Sequence, residues 1–193
     1  GGNVFAQTTF FYNKYTHRFI SKDSNYSMHH FVGKNALFQY MSWPAEDMLA
    51  KLGSLQEVYI HPSDTIITKN ENDYQGITVF VPVPYPHKNP FGVLMATIST
   101  DRLFSYLSKG SDGNGNLVIA GSAGEVLAAS QSPGYMGSEE LLSLLRHANN
   151  GFDTVSLLGE RYIVHQRPSA LGMMRFFYIA PLEIGRASWW ERV

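Results

Sequence analysis

Hydrophobic and polar positions change rhythm several times along this chain, and each rhythm predicts an element. Near the start, rings alternate with polar residues: Phe5, Phe10, Phe11 and Tyr12 precede Asn13-Lys14, and Tyr15, Phe19 and Ile20 follow. Asn at the first turn position tolerates positive φ, so two strands joined at Asn13-Lys14 are predicted. Residues 21–30 read as a polar loop ending in the adjacent histidines His29-His30. Between residues 34 and 52 apolar side chains fall at helical spacing: Leu37, Phe38 and Met41, then Met48, Leu49 and Leu52. Pro44 interrupts this pattern and Gly53 ends it. The prediction is a short helix, a break at Ser42-Trp43-Pro44 and a second helical piece.

Three strands are predicted next, over residues 55–61, 76–84 and 91–98. The middle one alternates strictly, with Ile77, Val79, Val81 and Val83 on one face. The run Tyr85-Pro86-His87-Lys88-Asn89-Pro90 suits an antiparallel connection to the third. Asp101 then stands where a helix N-cap belongs, ahead of Leu103, Phe104 and Leu107, with Gly110 as the stop and residues 111–115 as a flexible joint. In the second half, strands over 117–120 and 126–130 flank the hairpin turn Gly121-Ser122-Ala123-Gly124. Ser138 caps a helix with an acidic first turn and the stripe Leu141, Leu142, Leu144 and Leu145, ended by Asn149-Asn150-Gly151. Strands over 152–158 and 161–167 meet at Gly159-Glu160, a Gly-X turn of type II′, and a last strand over 174–180 stops at Pro181. Each half therefore runs hairpin, helical segment, three strands, and neither has the βαβ alternation of a parallel sheet. The predicted fold class is α+β: two antiparallel sheets of about five strands, each with flanking helices.

Composition narrows the function classes. The 193 residues are 44% apolar, enough for a real core. Fifteen Lys+Arg against 16 Asp+Glu leave a net charge of −1, which argues against an electrostatic nucleic-acid binder and against polybasic attachment to lipid. The absence of cysteine excludes disulfides, zinc thiolates, Fe–S clusters and thiol nucleophiles. Apolar stretches such as 79–83 and 93–98 fall far short of the ~20 residues of a membrane helix, and Gly1-Gly2-Asn3 does not open a signal peptide.

Motifs for chemistry are sparse. Gly121-Ser122-Ala123-Gly124 lacks the spacing of a nucleophile elbow, and no phosphate loop, dinucleotide glycine pattern or kinase signature occurs. Asp112-Gly113-Asn114-Gly115-Asn116 imitates the front of a calcium loop, but Ala123 stands where the bidentate acid belongs. His29 and His30, adjacent on a strand, would point to opposite faces, and a third metal ligand from His61 or His87 is neither supported nor forbidden. Aromatic residues, 13% of the chain, are the remaining clue. Tyr40 and Trp43 lie at the helix break, and Tyr59, His61 and Phe80 lie on strands that follow it. Rings stack on sugars and bases, so these five residues form the candidate ligand-binding set; filling the core between helix and sheet is the other reading of the same rings. No catalytic residue, metal or cofactor is expected.

Several runs carry a resemblance. Gly76-Ile77-Thr78-Val79-Phe80-Val81-Pro82-Val83-Pro84, then Phe91-Gly92-Val93-Leu94-Met95-Ala96-Thr97-Ile98, then Asp101-Arg102-Leu103, resemble the distal module of double Cache sensor domains in its closing strands and linking helix. Gly115-Asn116-Leu117-Val118-Ile119-Ala120 and Gly124-Glu125-Val126-Leu127-Ala128-Ala129-Ser130 look like the opening hairpin of a membrane-proximal PAS-like module. Arg161-Tyr162-Ile163-Val164 and Met174-Arg175-Phe176-Phe177-Tyr178-Ile179-Ala180-Pro181 look like its last two strands. The likeness is greatest to the extracytoplasmic sensors of Gram-positive membrane-bound AraC-type regulators, with histidine kinases and chemoreceptors as wider relatives.

The resemblance implies a membrane-distal module over 1–110, with its linking helix at 101–110, and a membrane-proximal module with an exit segment over 111–193. It implies a domain on the extracellular face of the cell membrane, held by flanking helices outside this sequence. That domain would bind a small polar or carbohydrate-like ligand in the distal module, catalyse nothing and contact no nucleic acid itself; homodimer formation stays open. Two features depart from the family. No long helix precedes the first module, and the Arg-x-Trp signature of amino-acid-binding members, with its later Tyr and Asp, is missing, which argues against an amino-acid ligand. Trp189-Trp190, beside Arg186 and Arg192, suit either a membrane interface or an exit helix packed on the domain. Two other function classes are carried alongside: a ligand-independent protein-interaction or dimerisation module, and a metal-dependent enzyme using His29, His30 and His61.

Overall fold

A computed structural model describes residues 6–32, 36–69, 72–86, 88–110, 114–148, 150–170 and 172–182. His87, the front of the calcium-like run at 112–113, and the tail with Arg186, Trp189, Trp190 and Arg192 lie outside the described residues. The chain divides into two compact units, Gly1–Tyr106 and Leu107–Val193. Among the described residues no helix is long and apolar enough to cross a membrane.

The first unit contains β1 (Ala6–Asn13), β2 (Arg18–Ile20), β3 (Asn25–Ser27), α1 (Met28–Phe31), β4 (Phe38–Tyr40), α2 (Ala45–Ser54), β5 (Tyr59–Thr68), β6 (Tyr74–Val83) and β7 (Gly92–Ser99), then leads into α3 (Thr100–Leu107). Its strands form one antiparallel sheet in the order β3-β2-β1-β7-β6-β5-β4. The predicted hairpin is present, with Tyr12 opposite Phe19 and Asn13 opposite Arg18. Seven strands stand where about five were expected, because two short edge strands were not legible as strands. Residues 25–30, read as part of the polar loop over 21–30, form β3 and the first three residues of α1. Residues 38–40, read as part of a helix, form β4: Phe38 and Tyr40 both turn inward while Gln39 faces out, and pairing to Thr68 and Ile66 overrides the helical spacing. The strand predicted over 55–61 begins only at Tyr59 and runs on to Thr68.

The buried face of this sheet is unusually aromatic. Phe31 of α1 stacks on Phe19 at 3.8 Å, lies parallel to Phe38 at 5.6 Å and meets Phe10 edge-on at 4.6 Å. Met48 and Leu52 of α2 close the same core. Ile77, Val79, Val81 and Val83 do share a face by strand alternation, but the aromatic core lies on the other, with Thr78 and Phe80.

The second unit contains β8 (Asn116–Gly121), β9 (Val126–Ala129), α4 (Glu139–His147), β10 (Gly151–Leu157), β11 (Glu160–Pro168) and β12 (Met174–Pro181), in the sheet order β10-β11-β12-β8-β9. Ser138 caps α4 as predicted, its Oγ accepting from the Leu141 N–H at 3.2 Å, and Leu141 and Leu145 pack on Val118, Tyr162, Val164 and Phe177. At the other end of the helix the Arg175 guanidinium donates to the Leu145 and Arg146 carbonyls, which have no partner within the helix.

Two local expectations are corrected. Ser99, not Asp101, caps α3, its Oγ accepting from the Arg102 N–H at 3.4 Å, so Asp101 lies in the first turn. The β10–β11 turn is centred on Leu158-Gly159, whose φ angles are 50° and 83°, a type I′ turn in place of the predicted II′.

The two sheets share a topology. Read across each sheet, β2-β1-β7-β6-β5 and β9-β8-β12-β11-β10 trace one path: an opening hairpin, a helical crossover, and a three-stranded meander whose last strand returns to the centre beside the first. The likeness of the halves is one of strand order, as the hydrophobic pattern predicts.

Candidate functional site

The site is built on the β4-β5-β6 side of the first sheet, where three neighbouring strands turn rings to the same face. Tyr59 of β5 lies opposite Phe80 of β6, and their rings stack at 5.9 Å. Tyr40, at the end of β4, donates its hydroxyl to Thr78 Oγ1 at 2.7 Å in the buried interior. Burial pushes that hydroxyl far above its ordinary value of 10.0, the bond to Thr78 pulling the other way, so it remains a neutral donor.

Trp43 supplies the centre. It comes from the segment between β4 and α2, where Pro44 precedes the first helical residue, and it is half-buried. Its ring stacks on His61 at 4.3 Å and 17°, and lies 5.4 Å from Tyr40, 5.8 Å from Tyr59 and 5.7 Å from Phe80. Tyr40, Trp43, Tyr59, His61 and Phe80, the five residues singled out by sequence, are thus brought into one ring cluster. That cluster is continuous with the core beneath it, since Tyr40 meets Phe38 edge-on at 5.1 Å.

Sequence reasoning missed the charged member. Asp64 is 7% exposed and faces the cluster because β5 is bulged between His61 and Asp64. Tyr59 and His61 point inward; the extra residue at 62–63 shifts the phase, so Asp64 and Ile66 point inward too. The local sign was Pro62 inside an otherwise regular strand, a residue that favours bulges and edges. The Asp64 carboxylate accepts from the Ser42 N–H at 3.2 and 3.1 Å, from Ser42 Oγ at 2.6 Å, and faces His61 Nε2 at 3.5 Å. His61 Nδ1 in turn lies 3.5 Å from the Tyr59 hydroxyl. Burial holds the His61 imidazole below its ordinary value of 6.5, against the opposing pull of Asp64, which favours the neutral ring at neutral pH. Ser42, Asp64 and His61 do not line up in serine–histidine–aspartate order: the serine hydroxyl donates directly to the carboxylate rather than to the imidazole. At the rim, Lys51 of α2 places its ammonium 4.4 Å from the Tyr59 ring centroid.

A concavity lies elsewhere, where the chain enters β5 and leaves β6. It is an open cleft of about 580 Å³ lined by Gln56, Glu57, Tyr85, Pro86 and Lys88. The histidine pair makes no metal site with the described residues: no group of three His, Cys, Asp or Glu among them could hold an ion. His29 and His30 lie on α1 rather than on a strand, and His30 Nδ1 bonds Ser27 Oγ at 2.8 Å. Asn116, last of the calcium-like run, is committed elsewhere, its Oδ1 accepting from Ser130 Oγ and the Gln131 N–H.

Solved structures resemble this fold across most of its length. The periplasmic sensory domain of the Campylobacter jejuni chemoreceptor Tlp1 matches with a TM-score of 0.53 at 14% identity, over 93% of this chain and 74% of that one. The extracellular domain ascribed to the histidine kinase rpHK1S-Z16 matches with a TM-score of 0.53 at 11% identity, over 96% and 75%. The chain shares the fold of these receptor sensor domains. The ligand-binding domain of the Pseudomonas aeruginosa PAO1 amino-acid chemoreceptor PctB, in complex with L-Arg, matches with a TM-score of 0.50 at 14% identity, over 94% and 73%. No family sequence model and no curated protein matches the chain.

Proposed function

We propose that this chain is the extracytoplasmic sensor domain of a membrane signalling protein, and that it binds a small polar molecule at the ring cluster of its first unit. One observation carries the reading: Tyr40, Tyr59, His61 and Phe80 surround a half-buried Trp43 beside the buried carboxylate of Asp64. Apolar concavities with a few placed polar groups are the usual form of small-molecule sites. The shared fold with periplasmic and extracellular receptor domains supports both the sensor role and the location outside the cytoplasm. Binding and signalling, rather than catalysis, suit a site without an activated nucleophile. The output domain belongs to the same proposal: a DNA-binding regulator, as the resemblance of the β6–β7 run implies, a kinase or a chemoreceptor. A carbohydrate-like solute and an amino acid such as PctB binds are both ligands to be screened.

The test is a thermal-shift screen of the purified domain over sugars, amino acids, amines and organic acids, followed by calorimetry on any hit. A ligand at a hundred times its Kd stabilises the folded state by about 2.7 kcal/mol, a readily measured shift. Trp43→Ala should remove the shift while leaving the circular-dichroism spectrum unchanged. Silence across the library, or hits indifferent to Trp43, would sink the reading.

A further inference from the structure

We propose that the open cleft at the end of the first sheet, where β5 begins and β6 ends, is a second binding site whose ligand is a neutral oligosaccharide. It shares no residue with the ring cluster, so the two sites stand or fall separately.

The first argument is how the walls are held. β5 and β6 are antiparallel, with Tyr59 opposite Phe80, so the segment entering β5 and the segment leaving β6 meet at one end of the sheet. Gln56 and Glu57 come from the first segment, and Tyr85, Pro86 and Lys88 from the second. They enclose about 580 Å³, within the usual range of small-molecule sites. Lys14, in the β1–β2 turn, ties both segments: its ammonium donates to the Leu55 carbonyl at 2.8 Å, and its N–H donates to the Phe91 carbonyl at 3.0 Å. The Phe91 N–H in turn donates to the Val83 carbonyl at 2.9 Å, pinning the base of the β6–β7 connection. Tyr85 stands between Pro84 and Pro86, and proline fixes its own φ and restricts the residue before it. Walls already fixed in this way lose little freedom when a ligand binds.

The second argument is free bonding capacity. Tyr85 is 54% exposed, which leaves much of its ring open to a ligand. Gln56, Glu57 and Lys88 are exposed as well, and no hydrogen bond or ion pair with another described residue engages their side chains. The ring cluster is the opposite case, with the Tyr40 hydroxyl committed to Thr78 and the Ser42 hydroxyl to Asp64. The cleft therefore offers an acceptor-only carboxylate, a donor-only ammonium and a carboxamide that does both, beside an aromatic plane. A sugar carries the matching set: hydroxyls that donate and accept, and a face of C–H groups that packs on a ring.

Charge and shape decide between ligand classes. Glu57 and Lys88 cancel, so the cleft favours neither an anion nor a cation. The two charges of an amino acid could meet both, but in an open cleft water and salt screen such pairs to little value. Stacking and hydroxyl bonds need no closed pocket, and an open cleft lets a chain of sugars run through it. The fold shared with receptor domains outside the cytoplasm puts the cleft where polysaccharides are met.

Cellotetraose, xylotetraose and maltotetraose serve as neutral probes, with tetragalacturonate and a tetramer of glucosamine as charged counterparts. Saturation-transfer NMR and calorimetry on the whole chain should show at least one neutral tetrasaccharide binding more tightly than either charged one. Tyr85→Ala should weaken it at least about tenfold, while Tyr85→Phe, which keeps the stacking face, should stay within about threefold. Trp43→Ala should leave it unchanged. Circular dichroism checks that each variant keeps its fold. Binding of no neutral tetrasaccharide, preference for a charged one, or affinity indifferent to Tyr85→Ala overturns the inference and leaves the sensor reading standing. So does an amino acid, rather than a sugar, whose binding depends on Tyr85. Tetrasaccharide binding lost in Trp43→Ala and kept in Tyr85→Ala would also overturn it, and would support the ring cluster as the sugar site instead.

Discussion

At the scale of single residues, His61 is where burial and charge disagree, and it makes the first unit sensitive to acid. Burial lowers its affinity for a proton below the ordinary value of 6.5, and Asp64 only partly restores it. As pH falls past 6.5 the unfolded chain takes up a proton before the folded one does, so folding is progressively disfavoured. The contribution is therefore intact above pH 6.5 and is lost as pH drops from there toward the folded-state value. His165 follows the same rule in the second unit, its proton affinity lowered by burial and by Arg167. Urea unfolding at a series of pH values between 8 and 5 should show stability falling on the acid side. His61→Gln should flatten the slope for the first unit, and His165→Gln that for the second. An unchanged slope in both variants would show that neither imidazole is buried as described. The site's charged residue illustrates the limit of sequence reading at this scale. Rings announce themselves by size and spacing, so Tyr40, Trp43, Tyr59, His61 and Phe80 were legible as a group. Asp64 was not, because a one-residue bulge at 62–63 decides which face it takes, and strict alternation from His61 puts it on the wrong one.

Elements sort by length and by who stabilises them. The β6–β7 pair, α2 and α4 run for eight residues or more, and each carries enough periodic apolar positions to be read directly. Short elements were legible only as hairpin arms, as β2 and β9 are; β3, β4 and α1, which were missed or misread, owe their conformation to strand pairing and to the burial of Phe31, Phe38 and Tyr40, not to local propensity. Phe38 and Met41 mimicked helical spacing, yet only Phe38 is buried, since Met41 lies just past β4 and is 67% exposed. The β10–β11 turn shows a different failure, in which the turn is one residue earlier than its glycine suggested. Leu157 pairs with Glu160, which forces Leu158 into the left-handed region at φ 50°. A branched apolar residue there costs about 1 kcal/mol, whereas Asn is tolerated and suits the first position of a type I′ turn. Leu158 is also 59% exposed, so little packing is lost by replacing it. Leu158→Asn should therefore stabilise the second unit by about 1 kcal/mol, read as a raised urea midpoint with an unchanged denaturant slope. A lowered midpoint would mean that the leucine is held there by contacts worth more than its backbone strain.

For the whole molecule, the consequence of the shared topology is where each unit's chain leaves its sheet. The last strand returns to the centre of the sheet, so β7 is hydrogen-bonded to β6, which carries Phe80 and Thr78, and continues directly into α3 at Thr100. The β5 bulge that turns Asp64 inward also places Ser63 Oγ 3.5 Å from Thr100 Oγ1, at the first residue of that helix. On the proposed reading, a ligand seated at the ring cluster acts on a segment tied to the start of α3, which runs across the boundary between the two units. Signalling then needs only that the ligand prefer one of two arrangements of this corner, by the margin of its differential affinity. Hydrogen exchange on the full chain, with and without the solute giving the largest thermal shift, tests the route. Protection should rise in β4, β5 and the Trp43 segment, and exchange in α3 should change as well. Ser63→Ala should keep the ligand affinity within about twofold, since it removes one weak contact outside the ring cluster. It should nevertheless diminish the α3 response. Exchange in α3 that ignores the ligand, while β4 and β5 respond to it, would leave the site as a binding pocket with its signal carried by some other path.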